Sequence, residues 1–290
     1  MKFDIIYVEE KIKDNLNTKK ILQRINYNKI IFCENYSQIF NSKNQNFRIQ
    51  KAKPSIILAK KEGNLILKTP PKFSIGFDQN FYFSHMLNCV YDCKYCFLQG
   101  MFNSAHYLIF VNFSDFIEEI EKITTNSTKN ICFFSGYDCD SLALEKITHF
   151  LSFFLKRFKK IKNGVLEIRT KSTQIDIFRK IKPIKNVIIA FSLNPKDVIE
   201  KYEDKTPKLI HRIKALIELQ NLGWSIGIRF DPLIVNSQNN QYLSNFFELV
   251  FEKIDAKKLH SVTIGEFRMP NRFMEKFSSL RPFESSIFNK

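Results

Sequence analysis

Three closely spaced cysteines are the residues of this chain best suited to inorganic chemistry. Cys89, Cys93 and Cys96 lie in the stretch SHMLNCVYDCKYCFLQG, and the whole chain has six cysteines. A structural zinc ion takes four ligands, and the common iron–sulfur clusters are likewise held by four cysteines. Three thiolates from one short loop therefore predict a centre with one position still to be filled.

That position has two interpretations at this stage. A zinc site would be completed by a residue from elsewhere in the chain, and the candidates are Cys132, Cys139, His85 and His106. A cubane iron–sulfur cluster would instead leave one of its irons open to a small molecule. A third alternative is that the cysteines are structural, because free cysteines are often simply buried.

The segments around this loop alternate between strand and helix patterns. The predicted strands are Phe81–Leu87, Asn130–Ser135, Gly164–Arg169, Asn186–Phe191, Trp224–Phe230 and Leu259–Ile264. The predicted helices are Ser114–Ile123, Leu142–Phe158, Gln174–Lys180, Thr206–Leu222 and Tyr242–Ile254. This alternation predicts an α/β fold with a parallel sheet, either open or closed into a partial barrel. Active sites of such folds lie at the carboxyl ends of the strands, and Cys89 follows the first strand.

The residues before the first of these strands predict an N-terminal α+β extension. A helix is expected around Asn17–Ile25, and two strand-like runs, PSIILAK and NLILK, flank a turn at Glu62-Gly63. The TPPK stretch at Thr69–Lys72 predicts a junction, since proline interrupts regular structure. The predicted domains are an extension over 1–75, a barrel over 76–268 and a short C-terminal segment over 269–290.

The charge of the chain favours a polyanionic partner. The formal net charge is +16, from 45 Lys and Arg against 29 Asp and Glu, and such an excess attracts phosphate backbones. The alternative is compositional, because a chain rich in Lys, Ile, Asn and Phe is typical of AT-rich coding. The chain shows no apolar run long enough to cross a bilayer and no secretory signal. We therefore expect a cytoplasmic protein with reduced thiols, monomeric or a weak dimer.

The cysteine motif resembles that of a known superfamily. The spacing C-x3-C-x2-C, with Tyr95 before the third cysteine, is similar to the signature of radical S-adenosylmethionine (SAM) enzymes. The resemblance implies a [4Fe-4S] cluster whose open iron binds SAM, and reductive cleavage of SAM to a 5′-deoxyadenosyl radical. It also implies a partial (β/α)6 barrel, which agrees with the independent strand count.

Further stretches resemble one branch of that superfamily, the spore photoproduct lyases. They are QKAKPSIILAKK, CKYCFLQG, SAHYLIFVNF, LEIRTKS, IIAFSLNPKDVIEKYEDKTPKLIHRIKALIELQNLGW and SVTIGEFRMP, in order along residues 46–270. The resemblance implies a carbon–carbon lyase for DNA repair, which reverses a thymine dimer by radical chemistry. Damaged DNA would be the partner, together with a reducing electron donor such as flavodoxin or ferredoxin.

The resemblance also assigns roles to individual residues. Cys89, Cys93 and Cys96 would ligate the cluster, and Arg268 in GEFRMP would lie near the lesion. The residues expected to contact SAM are Tyr95, Lys171, Ser192 and Asn194. Taken without the resemblance, Lys171 would be a solvated side chain, Ser192 and Asn194 would cap a chain end after a strand, and Arg268 would be an ordinary surface arginine.

Two positions depart from the branch, and both concern the return of a hydrogen atom. Spore photoproduct lyases have a hydrogen-donating cysteine after the second strand, where the alignment of FFSGYDCDSLALEKIT places Tyr137. Cys139 is two residues further on, and Cys132 lies inside the strand. The tyrosine usual after the third cysteine is Phe97 here, which has no hydroxyl. Tyr95 and Tyr137 are therefore the candidate catalytic residues, with Cys139 as the alternative donor.

These departures leave three functions open. The first is repair of the thymine dimer, the second is radical SAM chemistry on another nucleic acid or on a peptide, and the third is a non-catalytic, metal-containing protein that binds nucleic acid. Asp231, before Pro232, lies either at the barrel mouth or in a capped turn. The basic and aromatic residues of RMPNRFMEKFSSLRPFESS suit either nucleic-acid contact or an amphipathic helix against the barrel.

Overall fold

The computed structural model describes residues 2–70, 73–234 and 240–281. The strands are β1 Lys2–Glu9, β2 Asn26–Cys33, β3 Ile56–Ala59, β4 Leu67–Lys68, β5 Gln79–Phe83, β6 Met86–Leu87, β7 Asp92–Cys93, β8 Tyr107–Phe110, β9 Ile131–Ser135, β10 Val165–Thr170, β11 Val187–Ser192, β12 Glu203–Asp204, β13 Ser225–Phe230 and β14 Leu259–Ile264. The helices are α1 Leu16–Gln23, α2 Ser37–Phe40, α3 Phe47–Ala52, α4 Leu98–Met101, α5 Phe113–Thr125, α6 Glu145–Thr148, α7 Phe150–Phe158, α8 Asp176–Lys180, α9 Lys196–Tyr202, α10 Leu209–Asn221, α11 Asn240–Phe251 and α12 Asn271–Leu280.

The larger sheet contains five of the predicted strands and the first part of the sixth. The predicted strand Phe81–Leu87 is wrong beyond Phe83, because Met86–Leu87 forms β6 in the other sheet. The order of the larger sheet is β14-β13-β11-β10-β9-β5-β4, so neighbours in the sheet follow one another along the chain. Parallel pairing joins six of its strands, which are β5, β9, β10, β11, β13 and β14. The strand β4 adds an antiparallel edge. The strand VIIAFS of β11 is buried at every position, as expected for a parallel strand covered on both faces. The predicted partial barrel is confirmed.

The N-terminal region forms a second sheet that the sequence patterns predicted only in part. Its order is β2-β1-β3-β8-β6, and the predicted helix near Asn17–Ile25 is α1. The two predicted strand-like runs around Glu62-Gly63 each contain a strand, but β3 joins this sheet while β4 joins the barrel sheet. Because β6 precedes the cysteine loop and β8 follows it, the second sheet holds that loop on two sides. The domain limits at 75 and 268 stay a prediction.

The predicted helix Leu142–Phe158 is interrupted. His149 adopts a left-handed conformation with φ of 50°, so α6 ends there and α7 starts anew. A non-glycine residue in this region ends a helix, because the conformation cannot be propagated. The apolar face of α7 still reaches the core, where Phe150 and Phe154 pack against Phe83.

The C-terminal helix α12 packs against α4, the short helix directly after the third cysteine. Gly100 makes this possible, because a Cβ there would lie 2.3 Å from the Phe273 carbonyl oxygen. Lys276 donates a hydrogen bond to the Phe102 carbonyl at 2.9 Å. The helix therefore lies as the amphipathic-helix alternative predicts, and the segment after Arg281, including Phe283, lies outside the described residues.

No helix in the described part of the chain combines the length and the apolar character needed to cross a membrane.

Candidate active site

The cysteine loop crosses the barrel mouth between β6 and α4. Asn88 starts it in a left-handed conformation with φ of 68°, and its amide donates to the carbonyls of Ser104 and His106 at 2.7 and 2.8 Å. The centre of the loop then pairs with the segment after β11, with Cys93 opposite Glu203 in the antiparallel β7–β12 ladder. The loop that carries the thiols is thus fixed at its start and at its centre.

The N-terminal region reaches this loop with two basic side chains. Arg48 pairs with the Asp92 carboxylate through both terminal nitrogens, at 2.9 and 3.0 Å. Lys51 is buried and donates to the Cys89 carbonyl oxygen. These contacts place one fixed positive charge beside Asp92 and a buried amine beside the backbone of the first cysteine.

The C-terminal end of the described chain completes the support. Arg281 donates to Asp92 at 2.8 Å and to Gln99 at 2.8 Å. Gln99 in turn donates to the Cys93 carbonyl at 2.7 Å. Residues far apart in sequence therefore converge on the same loop, which suits a site where ligands must be held in place.

The three thiols lie in an environment that needs a cationic centre, because Cys93 is buried and Cys89 and Cys96 are half-buried. Burial raises the pKa of Cys89 to about 12 and raises the pKa of Cys93 and Cys96 as well. The Lys171 ammonium opposes this effect at Cys93 and Cys96. Buried thiols become ligands only as thiolates, so a metal centre and nearby cations must stabilise the negative charge.

The zinc alternative finds no support in the described ranges 2–70, 73–234 and 240–281. They contain no group of three or more His, Cys, Asp or Glu side chains placed to hold a single metal ion. His106 accepts a hydrogen bond from the Ser55 backbone, and Cys132 lies in β9 near Glu167. In a cubane each thiolate binds a different iron, so the three thiols need not converge on one point. The donor set therefore fits a three-cysteine cluster.

The residues predicted to contact SAM gather around a buried carboxylate that the sequence analysis did not single out. Tyr95 donates its hydroxyl to Glu203, and the Asn194 amide donates to the same oxygen at 3.1 Å. The Lys171 ammonium lies 5.6 Å from the centre of the Tyr95 ring. Burial opposes the charge of Lys171, but Glu203 and Cys93 raise its pKa. The predicted group is thus brought together beside the cysteine loop.

Glu203 is itself held by Arg212, and both side chains are fully buried. Arg212 also donates to the Ser192 backbone carbonyl at 3.1 Å and to Thr206 at 2.7 Å. Burial raises the pKa of Glu203, but Lys171 and Arg212 outweigh it and lower the value. Glu203 and Arg212 both lie in the long stretch that resembles the lyases. Arg212 could have been identified in the sequence, because it is a charged residue on the apolar face of a predicted helix.

Tyr137 lies in an aromatic cluster at the carboxyl end of β9. Its ring centre is 4.3 Å from that of Tyr82, 5.9 Å from Phe73 and 6.1 Å from Phe97. Gly136 precedes it with φ of 74°, and a Cβ at Gly136 would lie 2.3 Å from the Ser141 hydroxyl. The glycine therefore determines how the chain presents Tyr137.

Cys139 lies in a different environment from Tyr137. Burial raises the pKa of the Cys139 thiol well above its usual range, and the nearby Cys89 adds to this effect. Cys139 therefore lies near Cys89, whereas the Tyr137 ring lies near both Phe73 and Phe97, the residue after the third cysteine. Both candidate hydrogen donors are thus close to the cysteine loop.

A cavity of about 280 Å³ opens at the carboxyl ends of β10, β13 and β14. Its lining residues are Phe73, Ser74, Ile75, Arg169, Asp231, Thr263, Ile264 and Arg268. Phe73 belongs both to this cavity and to the aromatic cluster around Tyr137, so the two are neighbours. Arg268 and Asp231 therefore lie at the barrel mouth. Arg169 was not predicted as a site residue, because an arginine at a strand end has no distinctive motif.

Comparisons with known proteins agree with this architecture. A family model described as "Spore photoproduct lyase" matches residues 3–276. The spore photoproduct lyase of Bacillus subtilis (strain 168) is 25% identical over 170 residues, which is 58% of this chain and 48% of the relative. The spore photoproduct lyase of Geobacillus sp. (strain Y412MC61) is 24% identical over 180 residues, 61% of this chain and 51% of the relative. The matches thus span about half the length of these relatives.

A solved structure shares the fold over nearly the whole chain. It is a mutant spore photoproduct lyase with bound AdoMet and dinucleoside spore photoproduct, with a TM-score of 0.77 and 18% identity. The match covers 97% of this chain and 83% of that one. A second structure, of a lyase complexed with dinucleoside spore photoproduct, has a TM-score of 0.75 with the same coverage.

Proposed function

Because this chain belongs to the spore photoproduct lyase family, we propose that it is a radical SAM lyase that reverses a thymine-dimer lesion in DNA. The observation that carries the proposal is the convergence of two predicted groups. Cys93 of the cysteine loop pairs with Glu203, and Glu203 accepts hydrogen bonds from Tyr95 and Asn194. A thiolate site and a polar SAM site therefore share one buried wall.

Cys89, Cys93 and Cys96 would hold a [4Fe-4S] cluster, and Lys171, Ser192 and Asn194 would lie beside the SAM bound to it. When bound, the cluster and SAM supply the 5′-deoxyadenosyl radical that removes a hydrogen atom from the lesion. Lys171 supplies an ammonium suited to a carboxylate. Glu203 keeps Tyr95 and Asn194 in position from behind, because its other oxygen is bound to Arg212.

Tyr137 is the hydrogen donor in this proposal. After the bond between the two bases breaks, one base is left as a carbon radical. Tyr137 gives it a hydrogen atom, so that its O–H bond breaks and a C–H bond forms. One electron from a reducing partner and one proton then return the Tyr137 phenoxyl radical to the phenol. The contact of Tyr137 with Phe73, which lines the cavity, supports this role over Cys139, which is half-buried near Cys89.

The lesion would have to leave the base stack to reach this site. A group inside a barrel mouth cannot contact stacked bases, and enzymes acting on bases take them out of the duplex. The net charge of +16 favours binding of the DNA backbone. A reducing partner such as flavodoxin or ferredoxin would supply the electron, in the cytoplasm where thiols stay reduced.

The test starts from protein reconstituted without oxygen. We expect about four irons per chain, cleavage of SAM after dithionite reduction, and release of thymine units from dinucleoside spore photoproduct. Cleavage of SAM with no change in the photoproduct would contradict the repair function.

The Tyr137→Phe variant tests the donor. It should still consume the photoproduct but release abnormal adducts, because the base radical then lacks its hydrogen donor. Tyr82→Phe is a matched control, since it removes the same hydroxyl from the ring in contact with Tyr137. Identical products from both variants and the parent chain would remove Tyr137 from the mechanism.

A second candidate function rests on Phe97. The centre of the Phe97 ring lies 6.1 Å from that of Tyr137, but Phe97 has no hydroxyl to exchange a hydrogen atom. This favours radical SAM chemistry on another nucleic acid, where hydrogen need not return to SAM. Stoichiometric SAM consumption per product, measured with an undamaged RNA or DNA substrate, would support it.

A further inference from the structure

The cavity at the barrel mouth is lined by Arg169, whose side chain is held by the buried Glu167. Glu167 and Arg229 are both fully buried and pair at 2.7 Å. Arg169 donates its Nε to Glu167 at 3.0 Å, and one of its terminal nitrogens lies 3.0 Å from the same oxygen. The other terminal nitrogen is the one nearest to Asp231 at the cavity. Gly227 leaves room for this arrangement, because a Cβ there would lie 2.8 Å from the Arg229 guanidinium. The position of Arg169 is therefore set by a buried ion network.

Asp231 lies between two arginines but is not saturated by either. Its carboxylate is 3.7 Å from Arg169 and 4.0 Å from Arg268, distances longer than a hydrogen bond. No hydrogen bond to this carboxylate is found within the described parts of the chain. Gly265 leaves space for the carboxylate, because a Cβ there would lie 2.6 Å from Asp231 Oδ1.

Arg169, Asp231 and Arg268 present a hydrogen-bond donor, an acceptor and a donor in that order. A phosphate would gain from the two arginines but would be repelled by the carboxylate between them. The 2,4-dione edge of thymine or uracil presents the reverse pattern, with two carbonyl acceptors flanking the N3–H donor. Cytosine has no N3–H to offer the carboxylate.

The other walls of the cavity suit a flat base. The Arg169 guanidinium lies 5.3 Å from the centre of the Phe73 ring, and an aromatic face can stack on a base. The Thr263 hydroxyl is buried and has no hydrogen-bond partner in the described ranges. The cavity is smaller than most sites for drug-sized ligands, in keeping with a base as its occupant.

We propose that Arg169, Asp231 and Arg268 recognise the imide edge of a thymine or uracil base, with Asp231 accepting the N3–H hydrogen bond. This inference rests on the proposed function, because it takes the cavity as part of the same substrate site. It adds a specificity determinant for 2,4-dione pyrimidines, which the reaction chemistry alone does not require.

The test measures binding without turnover. Thymidylyl-thymidine and its N3-methylated analogue are titrated into anaerobically reconstituted protein, without reductant, and the ratio of their Kd values is determined by calorimetry. We expect the methylated analogue to bind roughly 10- to 100-fold more weakly, as for loss of a hydrogen bond to a charged group.

Asp231→Ala should bring this ratio close to one, because the group that senses N3–H is gone. Glu266→Ala is the matched control, since it removes a neighbouring exposed carboxylate and should keep the ratio. A general loss of structure would weaken the binding of both ligands alike, so it cannot by itself bring the ratio close to one. Equal binding of both ligands by the parent chain, no binding of either, or an unchanged ratio in Asp231→Ala would each overturn the inference.

The two proposals fail separately. A chain that discriminates against the N3-methyl analogue but leaves photoproduct intact retains the recognition site and loses the repair function. A chain that repairs the photoproduct without this discrimination retains the function and loses the recognition site.

Discussion

Two buried glutamate–arginine pairs lie in the barrel, and they differ in what surrounds them. Glu203 and Arg212 are fully buried, and Arg212 also donates hydrogen bonds to Ser192, Thr206 and Pro207. Glu167 and Arg229 are equally buried. The second pair continues outward through Arg169 to Asp231, whose side chain is 23% exposed.

The first network is closed by protein contacts, whereas the second ends in groups whose partners are too distant for hydrogen bonds. Buried charges are stable only when they are paired. A closed network therefore holds the cysteine loop and its neighbours in position. An open network leaves hydrogen-bonding capacity for a ligand at the barrel mouth. Stability measurements should separate the two.

The largest effect is expected at the closed network. Arg212→Met removes one partner of a fully buried pair, which should lower the free energy of unfolding by about 3–5 kcal/mol. Chemical denaturation of the metal-free chain measures this. Arg179→Met is the matched control, because Arg179 pairs with Glu218 on the surface and its loss should leave the free energy of unfolding nearly unchanged. Equal losses for both variants would contradict a closed network.

Glu167→Gln tests the inner end of the open network, through its dependence on pH. Burial opposes ionisation of Glu167, but Arg169 and Arg229 outweigh it and lower its pKa. Its carboxylate therefore stabilises the fold fully above the ordinary glutamate pKa of about 4.3, and this contribution is lost as the pH falls through the lower folded-state pKa.

We expect Glu167→Gln to cost about 2–3 kcal/mol at neutral pH. The difference in the free energy of unfolding between this variant and the parent chain should become smaller as the pH falls below about 4. Denaturation series at several pH values measure it, and Glu266→Gln, an exposed side chain, should run parallel to the parent. A gap that stays constant down to acid pH would mean that the ionised carboxylate is not what stabilises the network.

A smaller effect is expected where the N-terminal region meets the cysteine loop. Arg48→Met removes the two-fold contact to Asp92, but Arg281 still pairs with that carboxylate. The free energy of unfolding should fall by about 1–2 kcal/mol. Lys53→Met, at an exposed pair with Asp4, should be nearly neutral. A neutral Arg48→Met would show that Arg281 alone anchors Asp92.

The smallest effect is expected at the outer end of the open network. Asp231→Asn should change the free energy of unfolding by less than about 1 kcal/mol, because its nearest cations are 3.7 and 4.0 Å away and partly exposed pairs contribute little. Denaturation of the metal-free chain is again the measurement. A loss as large as that of Arg212→Met would make Asp231 part of the scaffold and not a group kept for a ligand.

Much of the barrel could be predicted from local patterns. The strands β9, β10, β11, β13 and β14 lie within one or two residues of their predicted bounds, because short β-branched and apolar runs between helical segments are typical of parallel sheets. The interrupted helix at His149 escaped prediction, since the periodicity of its apolar residues continues across the break. The strands β1, β2 and β8 were missed, as was the separation of β3 from β4.

The candidate site divides in the same way. Spacing and resemblance predicted Cys89, Cys93, Cys96 and the position of Tyr137. They did not predict Glu203, Arg212 or Arg48, although each contacts a predicted residue or its loop. A charged residue looks the same in sequence whether it is solvated or buried in a pair, so its partner cannot be identified locally.

The amino-acid sequence by itself determined where most of the barrel strands and the three-thiol loop lie along the chain, because both depend on patterns within a few residues. Only the tertiary structure decided that Lys51, Glu203 and Arg281 meet around that loop, and that Asp231 faces two arginines across the barrel mouth. These contacts join residues far apart along the chain. Their energies depend on burial and distance, which exist only once the sheets have closed around them.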